Sequence, residues 1–584
     1  MDIAVNTNLF KYATRMLDRN NKMTAMTDHV PHKPLCPINT KISQEFPRAL
    51  PEKMGISSKT IAAFLNECIN IKKLNLHGIM IIKDGYVICE SDIGPYSSGL
   101  WHVCHSLSKT VTATAIGMLI DEGKLSLDDR VAKLLEKRVR PIHTLGYRNL
   151  TVRHLLTMTS GASFAETGTV VEKNWLRAYF ESGVTFKAGT KYHYNSLNSY
   201  VLSALVKEIT GQGLCEYLKG RLFEPLGIET YHWELSPEGI ENGGWGLYLM
   251  REDIAKLAQL YLNNGIWNNK RIISEKWVKS ATFTHVKTPE YTGDFDYGYH
   301  IWVNSEKEAF LFNGMFCQDA LVLKKQRMII VTNGGLEQLF QQSEYYKLIF
   351  KYFYYGEGPE AAPKSLKSML KRLNVNTVEK TPLFSRVPKG LSDIVGITYN
   401  AEDVGNMLFK GAQRATATAS CGILPLAEQG LRNSYAEGIK SITVSKEGKK
   451  YFLSVQEGSV VNKIPFIIGK TVKTVLRLSQ TDYHVAVSSR CGKNEDGVMT
   501  VILRLDFLEV ASTRYIKLYI YGSALSVKMS EEPGLGLVRR FADEIENMLM
   551  TNKFVSDVVS LIDADAIFCK LEKRFEPTFV LFKP

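Results

Sequence analysis

Ser106 and Lys109 stand three positions apart in Ser106-Leu-Ser-Lys109, at the head of the run Thr110-Val-Thr-Ala-Thr-Ala-Ile-Gly-Met-Leu-Ile120. On a helix, residues i and i+3 share a face, so a hydroxyl and an amine can meet there. Burial disfavours the charged form of a lysine, and a neutral amine can accept the proton of the serine. A serine at a helix N-terminus also has free backbone amides and the positive end of the helix dipole beside it, which stabilise a developing oxyanion. The spacing therefore reads as a nucleophile and its base. A capping serine followed by a solvated lysine would leave the same four letters, so the pair alone is a common pattern. Ser108 is a competing nucleophile, but Val111 stands where its lysine would be.

The surrounding blocks carry more. The first run continues through Asp121-Glu-Gly-Lys-Leu-Ser-Leu-Asp-Asp129, and Leu150-Thr-Val-Arg-His-Leu-Leu-Thr-Met-Thr-Ser-Gly161 follows. Then come Ala188-Gly-Thr-Lys-Tyr-His-Tyr-Asn-Ser196 and Gly243-Gly-Trp-Gly-Leu-Tyr-Leu-Met-Arg-Glu-Asp-Ile254. In this order, from about Pro51 to Gly335, the chain resembles the penicillin-binding-protein and serine β-lactamase superfamily, particularly its class C-like esterases and amidases.

The resemblance implies three further roles. Its second motif, Tyr-x-Asn, falls on Tyr194-Asn195-Ser196, where Tyr194 would relay protons between nucleophile, lysine and leaving group. Tyr192 and Tyr200 compete for that role. Ser196 replaces the motif's asparagine with a shorter group of fewer donors. The third motif, Lys-Thr-Gly or His-x-Gly on a strand, falls on Phe312-Asn313-Gly314, with Gln318 following in the family's order. There Gly314 would let substrate lie against the strand, and the Met315 amide would join that of Ser106 as oxyanion donor. An ordinary turn at Asn313-Gly314 is the alternative. Lys187-Ala-Gly189 also fits the third motif but precedes Tyr194, which is the wrong order.

Phe312 cannot bind a substrate carboxylate as a lysine or histidine would. With Ser196, it turns the expectation from antibiotic hydrolysis toward an uncharged, small acyl ester or amide. A D-amino-acid peptidase or amidase, and a catalytically silent binding or sensing module, are the rival readings. His102 and His105 precede Ser106 and are expected to shape the pocket, with a Ser/His pair as the alternative. Trp175 reads equally as a cleft wall or a core residue. The mechanism implied calls for no metal or organic cofactor. The chain carries no G-x-S-x-G, H-E-x-x-H, P-loop or dinucleotide fingerprint.

These residues need elements to hold them. Ser57 caps a helical pattern through Ile69; Asp84-Gly85 between two β-branched runs signals a hairpin. Helices are expected over 106–123, 151–158, 198–210 and 252–264, the last two ending at Gly211 and Gly265. Strands are expected at Tyr297–Val303, Ala309–Phe312, Ala320–Leu323 and Arg327–Thr332. Strand-rich stretches on both sides of a helical middle imply an α/β (α+β) fold. Its antiparallel sheet joins the two ends of the domain and is flanked by helices. Beyond about 385 the chain is strand-rich again, with one helix at 537–550, and reads as a mostly antiparallel β domain. The expected organisation is an N-terminal extension (1–45), a hydrolase domain (46–357), a linker (358–384) and the β-rich domain (385–584).

At 584 residues the chain exceeds one domain, and 45% hydrophobic against 23% charged residues suits a packed core. The net charge of +12 is spread, with no arginine-rich run or aromatic–basic motif, so a small-molecule partner is expected and nucleic acid is not. The nine cysteines form no Cys-x-x-Cys or zinc pattern, which suits a reducing compartment. No membrane-length apolar run and no leader pattern occur, and a cytoplasmic location is the expectation.

Overall fold

Asp84-Gly85 folds two apolar runs back on each other: β1 (Leu76–Lys83) and β2 (Tyr86–Asp92) pair antiparallel. Both turn residues are left-handed, at φ 50° and 80°, the conformation that a two-residue hairpin loop asks for. The computed structural model describes residues 8, 11–12, 15–16, 23–38, 40–71, 74–337, 344–357, 365–373, 389–401, 421–522, 524–534, 538–539 and 564–583. They fall into two compact units, one within Cys36–Asn374, the other within Asn6–Leu35 and Val375–Pro584.

In the first unit, α1 (Ser58–Cys68) begins behind Ser57, whose side chain accepts from Lys59 N–H. Next come α2 (Ser108–Asp121), α3 (Leu197–Thr210) and α4 (Arg251–Leu262). Strands β3 (Asp296–Tyr297), β4 (Trp302–Asn304), β5 (Ala309–Gly314), β6 (Gln318–Leu323) and β7 (Met328–Gly334) follow, then α5 (Glu344–Ile349). The seven-stranded sheet runs β2-β1-β7-β6-β5-β4-β3, so the two ends of the unit meet at the antiparallel β1–β7 pair. The central strands are apolar on both faces because both are covered. Ile79, Ile81, Leu311, Leu321 and Ile330 pack with α1 and α5 in one core. Phe310 and Phe312 meet Tyr261 of α4 on the other face.

The expected strand Tyr297–Val303 is two short strands. Gly298 N–H donates to Ile301 O, and His300 takes a left-handed φ of 56° between them. A tight turn thus interrupts what alternation reads as one element. The expected helix from 106 starts as a single tight turn, His105–Leu107, before α2 proper.

The second unit is a ten-stranded antiparallel sheet. Its strands are β8 (Thr398–Asn400), β9 (Ile439–Glu447), β10 (Lys450–Glu457), β11 (Val460–Phe466) and β12 (Thr471–Leu478). They continue with β13 (Thr481–Lys493), β14 (Met499–Phe507), β15 (Thr513–Tyr521), β16 (Ala524–Glu532) and β17 (Thr578–Phe582). The order is β11-β10-β9-β8-β17-β16-β15-β14-β13-β12, so its outermost strands are consecutive in sequence. Alternate residues turn inward, as Tyr451, Leu453 and Val455 do on β10. A short helix, α6 (Leu426–Leu431), packs here, with Glu531 accepting from the N–H groups of Leu426 and Ala427. Residues from the start of the chain complete this unit: Asn433 Nδ2 donates to Thr27, and Lys33 Nζ is buried against Glu509 at 2.8 Å.

The 1–45 segment, expected as one extension, is therefore shared. Its described residues through Leu35 go with the second unit, while Cys36 Sγ accepts from Trp101 N–H in the first. Within the expected linker 358–384, Leu366–Leu373 is a helix whose Met369 and Leu373 join the first core. Apart from residues 538–539, the expected helix 537–550 lies outside the described residues. Ala564–Phe575 is a helix that the periodicity did not suggest.

Candidate active site

The turn His105–Leu107 delivers Ser106 to α2, and α2 is buried along nearly its whole length. An all-round buried helix must satisfy its own polar groups. Thr110 donates to His300 O, Thr112 to Gly243 O and Thr114 to Thr110 O. Lys109, 1% exposed, donates from Nζ to Ser106 Oγ at 2.8 Å and to Gly244 O at 2.8 Å. The expected pair therefore meets. Ser108 is fully buried, and its hydroxyl donates to His105 O at 2.6 Å. That geometry leaves Ser106 the better-placed nucleophile of the two.

Tyr194 lies on the other side of the amine, with Lys109 Nζ 4.9 Å from its ring centroid. The ring stacks on Trp302 at 6.0 Å and meets the edge of Tyr297 at 6.2 Å. Of its competitors, Tyr200 sits elsewhere and Tyr192 shares its two ring neighbours. Tyr200 is inside α3, donating to Glu238, and Tyr192 packs against Tyr297 and Trp302. Asn195 is buried and ties the motif down, donating to Ala162 O and Phe164 O while accepting from Leu197 N–H. Ser196 starts α3, and its N–H donates to Glu166 Oε1 at 3.0 Å.

Two residues without side chains matter here. A Cβ on Gly244 would lie 2.7 Å from Ser196 O, and one on Gly314 would lie 2.2 Å from Cys104 O. Only glycine allows the Lys109 acceptor to approach α3, or the end of β5 to approach the Ser106 turn. Met315 follows on this strand end, half-buried beside Phe316 and Cys317, both left-handed. Pairing of β5 with β4 stops at Leu311 and Trp302, so among the described residues no strand covers Phe312–Gly314 on that side.

Phe312 does not front the site. Its ring is buried edge-on to Tyr261 at 5.2 Å, because it shares the core-facing side of β5 with Phe310. It supplies neither charge nor an apolar wall to a substrate. Asn313 faces the opposite way, donating to Asp319 Oδ1 at 2.7 Å. Gln318 is buried and donates to Gly334 O at 2.6 Å. Lys187–Gly189 is a turn with Lys187 and Gly189 exposed.

The histidines before Ser106 have distinct surroundings. His102 Nε2 lies 3.1 Å from His77 Nδ1. His105 holds a left-handed φ of 46° and its ring edge meets Phe316. Burial, then the nearby His102 and Lys109, push it down to about 3, so it is a poor base at neutral pH and a Ser/His pair is disfavoured. Trp175 resolves to the core reading, packed on Tyr200 and Trp245. Gly244, Trp302, Tyr297 and Asn195 were not singled out from sequence. The glycine pair Gly243-Gly244 was the one available signal. Among the described residues, no group of three or more His, Cys, Asp or Glu side chains could hold a metal ion.

This constellation can be set beside known proteins. The model of the Beta-lactamase family matches residues 76–335. Penicillin-binding protein 4* of Bacillus subtilis (strain 168) is 26% identical over 155 residues, covering 24% of this chain and 33% of that protein. The 6-aminohexanoate-dimer hydrolase of Paenarthrobacter ureafaciens is 22% identical over 221 residues, covering 35% of this chain and 56% of that one. The match thus spans about a third and just over half of these relatives' lengths. A solved structure, the octameric penicillin-binding protein homologue from Pyrococcus abyssi, is 18% identical over 80% of this chain and 97% of its own, with a TM-score of 0.41.

Proposed function

We propose, given that the Beta-lactamase family model matches residues 76–335, that Ser106 attacks ester or amide carbonyls and carries the acyl group as an acyl-enzyme. The observation that carries this reading is the 2.8 Å bond between Lys109 Nζ and Ser106 Oγ, made by a lysine buried beneath Tyr194.

As Ser106 Oγ bonds to the carbonyl carbon, its proton moves to the neutral amine of Lys109. The carbonyl electrons shift to oxygen, where the N–H groups of Ser106 and Met315 hold the charge. The leaving alkoxide or amine takes a proton through Tyr194 Oη, and the acyl group stays on Ser106. Water then attacks, giving its proton back along the same route, and the acid departs from a regenerated serine. Gly244 O keeps the lysine aimed.

A small ester or amide is the substrate class this reading names; Phe312, turned into the core against Tyr261, bears on neither a substrate carboxylate nor its acyl chain. The name of the 6-aminohexanoate-dimer hydrolase keeps amides beside esters in the substrate panel. A fluorophosphonate probe is expected to label the wild-type chain and not Ser106→Ala. Turnover of p-nitrophenyl esters should fall roughly a thousandfold or more in that variant. Equal labelling of the two proteins would overturn the proposal. A comparison of p-nitrophenyl esters with D-alanyl amides then assigns the acyl class.

A further inference from the structure

Asp319 is a carboxylate placed where a sheet interior ordinarily holds an apolar side chain. It is 1% exposed, on β6, directly opposite Asn313 of β5. Its neighbours in the pairing, Leu321 and Leu311, belong to the apolar core under α1 and α5. A buried charge in such a place is costly unless donors meet it, and two do. Asn313 Nδ2 donates at 2.7 Å and Tyr346 Oη at 2.5 Å.

These donors have a telling distribution. Asn313 stands near the end of the strand that enters the turn, Asp319 itself near the start of the strand that leaves it, and Tyr346 belongs to α5. Met315 lies in the turn between Asn313 and Asp319. One carboxylate thus clamps both stems of the turn and anchors them to a helix behind the sheet. The front of the same turn is pressed against the nucleophile, since a Cβ on Gly314 would lie 2.2 Å from Cys104 O and the Phe316 ring meets His105.

We infer that Asp319, held by Asn313 and Tyr346, is a positioning residue that fixes the Met315 N–H opposite Ser106 for the oxyanion. The inference rests on the hydrolase reading above. Oxyanion stabilisation depends on donors fixed before charge develops, and small displacements of such donors cost large factors in rate. An ionised carboxylate accepts from both donors. A protonated one, or an amide, must donate with one edge and so loses part of the clamp.

The groups facing Asp319 are Tyr345 and Tyr346 from α5 and Cys317 from the turn, with Cys68 from α1 beside Cys317 and Tyr345. Thr332 from β7 lies behind Cys317. Burial pushes the Asp319 carboxyl up to about 6, against the pull of its hydrogen bonds. Ionisation is therefore complete only above that pH.

The test compares wild type and Asp319→Asn with p-nitrophenyl acetate across pH, alongside thermal melting. The amide imitates the protonated acid in shape, so the variant is expected to lose about 10–100-fold in kcat at pH 8, with KM little changed. The ratio of wild-type to variant kcat should shrink toward one as pH falls through about 6, which separates Asp319 from any titration of Lys109 common to both proteins. Tyr346→Phe, which removes one donor, should lose about 3–10-fold in kcat, and it carries the test should Asp319→Asn fail to fold. A folded Asp319→Asn variant, or in its absence Tyr346→Phe, that matches wild-type kcat at every pH would overturn this inference alone. A wild-type chain with neither turnover nor probe labelling would overturn the hydrolase reading and this inference with it.

Discussion

Lys109 donates to a side chain and to a main-chain carbonyl, and the second bond decides where its amine points. An alanine at 244 would bring a Cβ to 2.7 Å from Ser196 O, so the backbone there must move, and the Gly244 carbonyl with it. Gly244→Ala is expected to lower kcat about 10–100-fold with KM near its wild-type value, read from ester turnover. An unchanged kcat would show that Ser106 and Tyr194 suffice to aim the amine. The meeting of Ser106, Lys109 and Tyr194 was legible in the sequence because their blocks keep a fixed order. Gly244 acts through a carbonyl that every residue type possesses, so no letter marks it. Phe312 illustrates a different limit: its type was legible and its direction was not. Strand alternation puts Phe310 and Phe312 on one face, but only the Tyr261 ring on α4 makes that face interior.

At the level of elements, α2 holds the site because its threonines bond to the segments it crosses. Thr112 donates to Gly243 O at 2.7 Å, one residue before the lysine's acceptor. Thr112→Val keeps the shape and leaves that buried carbonyl without the hydroxyl. The expected cost is about 1–3 kcal/mol of stability, read as a lower urea midpoint. The long helices and the hairpin at Asp84-Gly85 were legible because periodicity and caps agreed there. The stretch 297–303 was not. Its alternation is real, but Gly298 and a left-handed His300 fold it into a turn, and histidine is among the few residues that enter that conformation with some ease. The tight turn at His105–Leu107 escaped for a similar reason, since its pattern continues that of the helix behind it.

Across the whole molecule, buried carboxyls tie stability to pH. Burial pushes Asp319 and Asp253 up to about 6, and Glu457, on β10 of the second unit, up to about 7. Each keeps its proton in the folded state at pH values where the unfolded chain has released it. Their contribution is therefore full below the ordinary carboxyl range, near about pH 4, and is lost as pH rises through about 6 to 7. Buried His105 and His300, pushed down to about 3, pull the other way up to the ordinary histidine range, so the test is a difference: relative to wild type, the urea midpoint of Glu457→Gln should rise between about pH 5 and about pH 8. An identical slope in the variant would remove Glu457 from the account. Among the described residues no helix is long and apolar enough to cross a membrane.

The second unit draws Thr27 and Lys33 from one end of the chain and the strands from the other. This has a consequence for the order of synthesis. Lys33 and its carboxylate, Glu509, are 476 residues apart in sequence. At ~5–20 residues per second, the ribosome releases that lysine roughly 24 to 95 s before its partner exists. The first unit lies between them in sequence, so it can finish folding while the first segment of the second unit still waits in water.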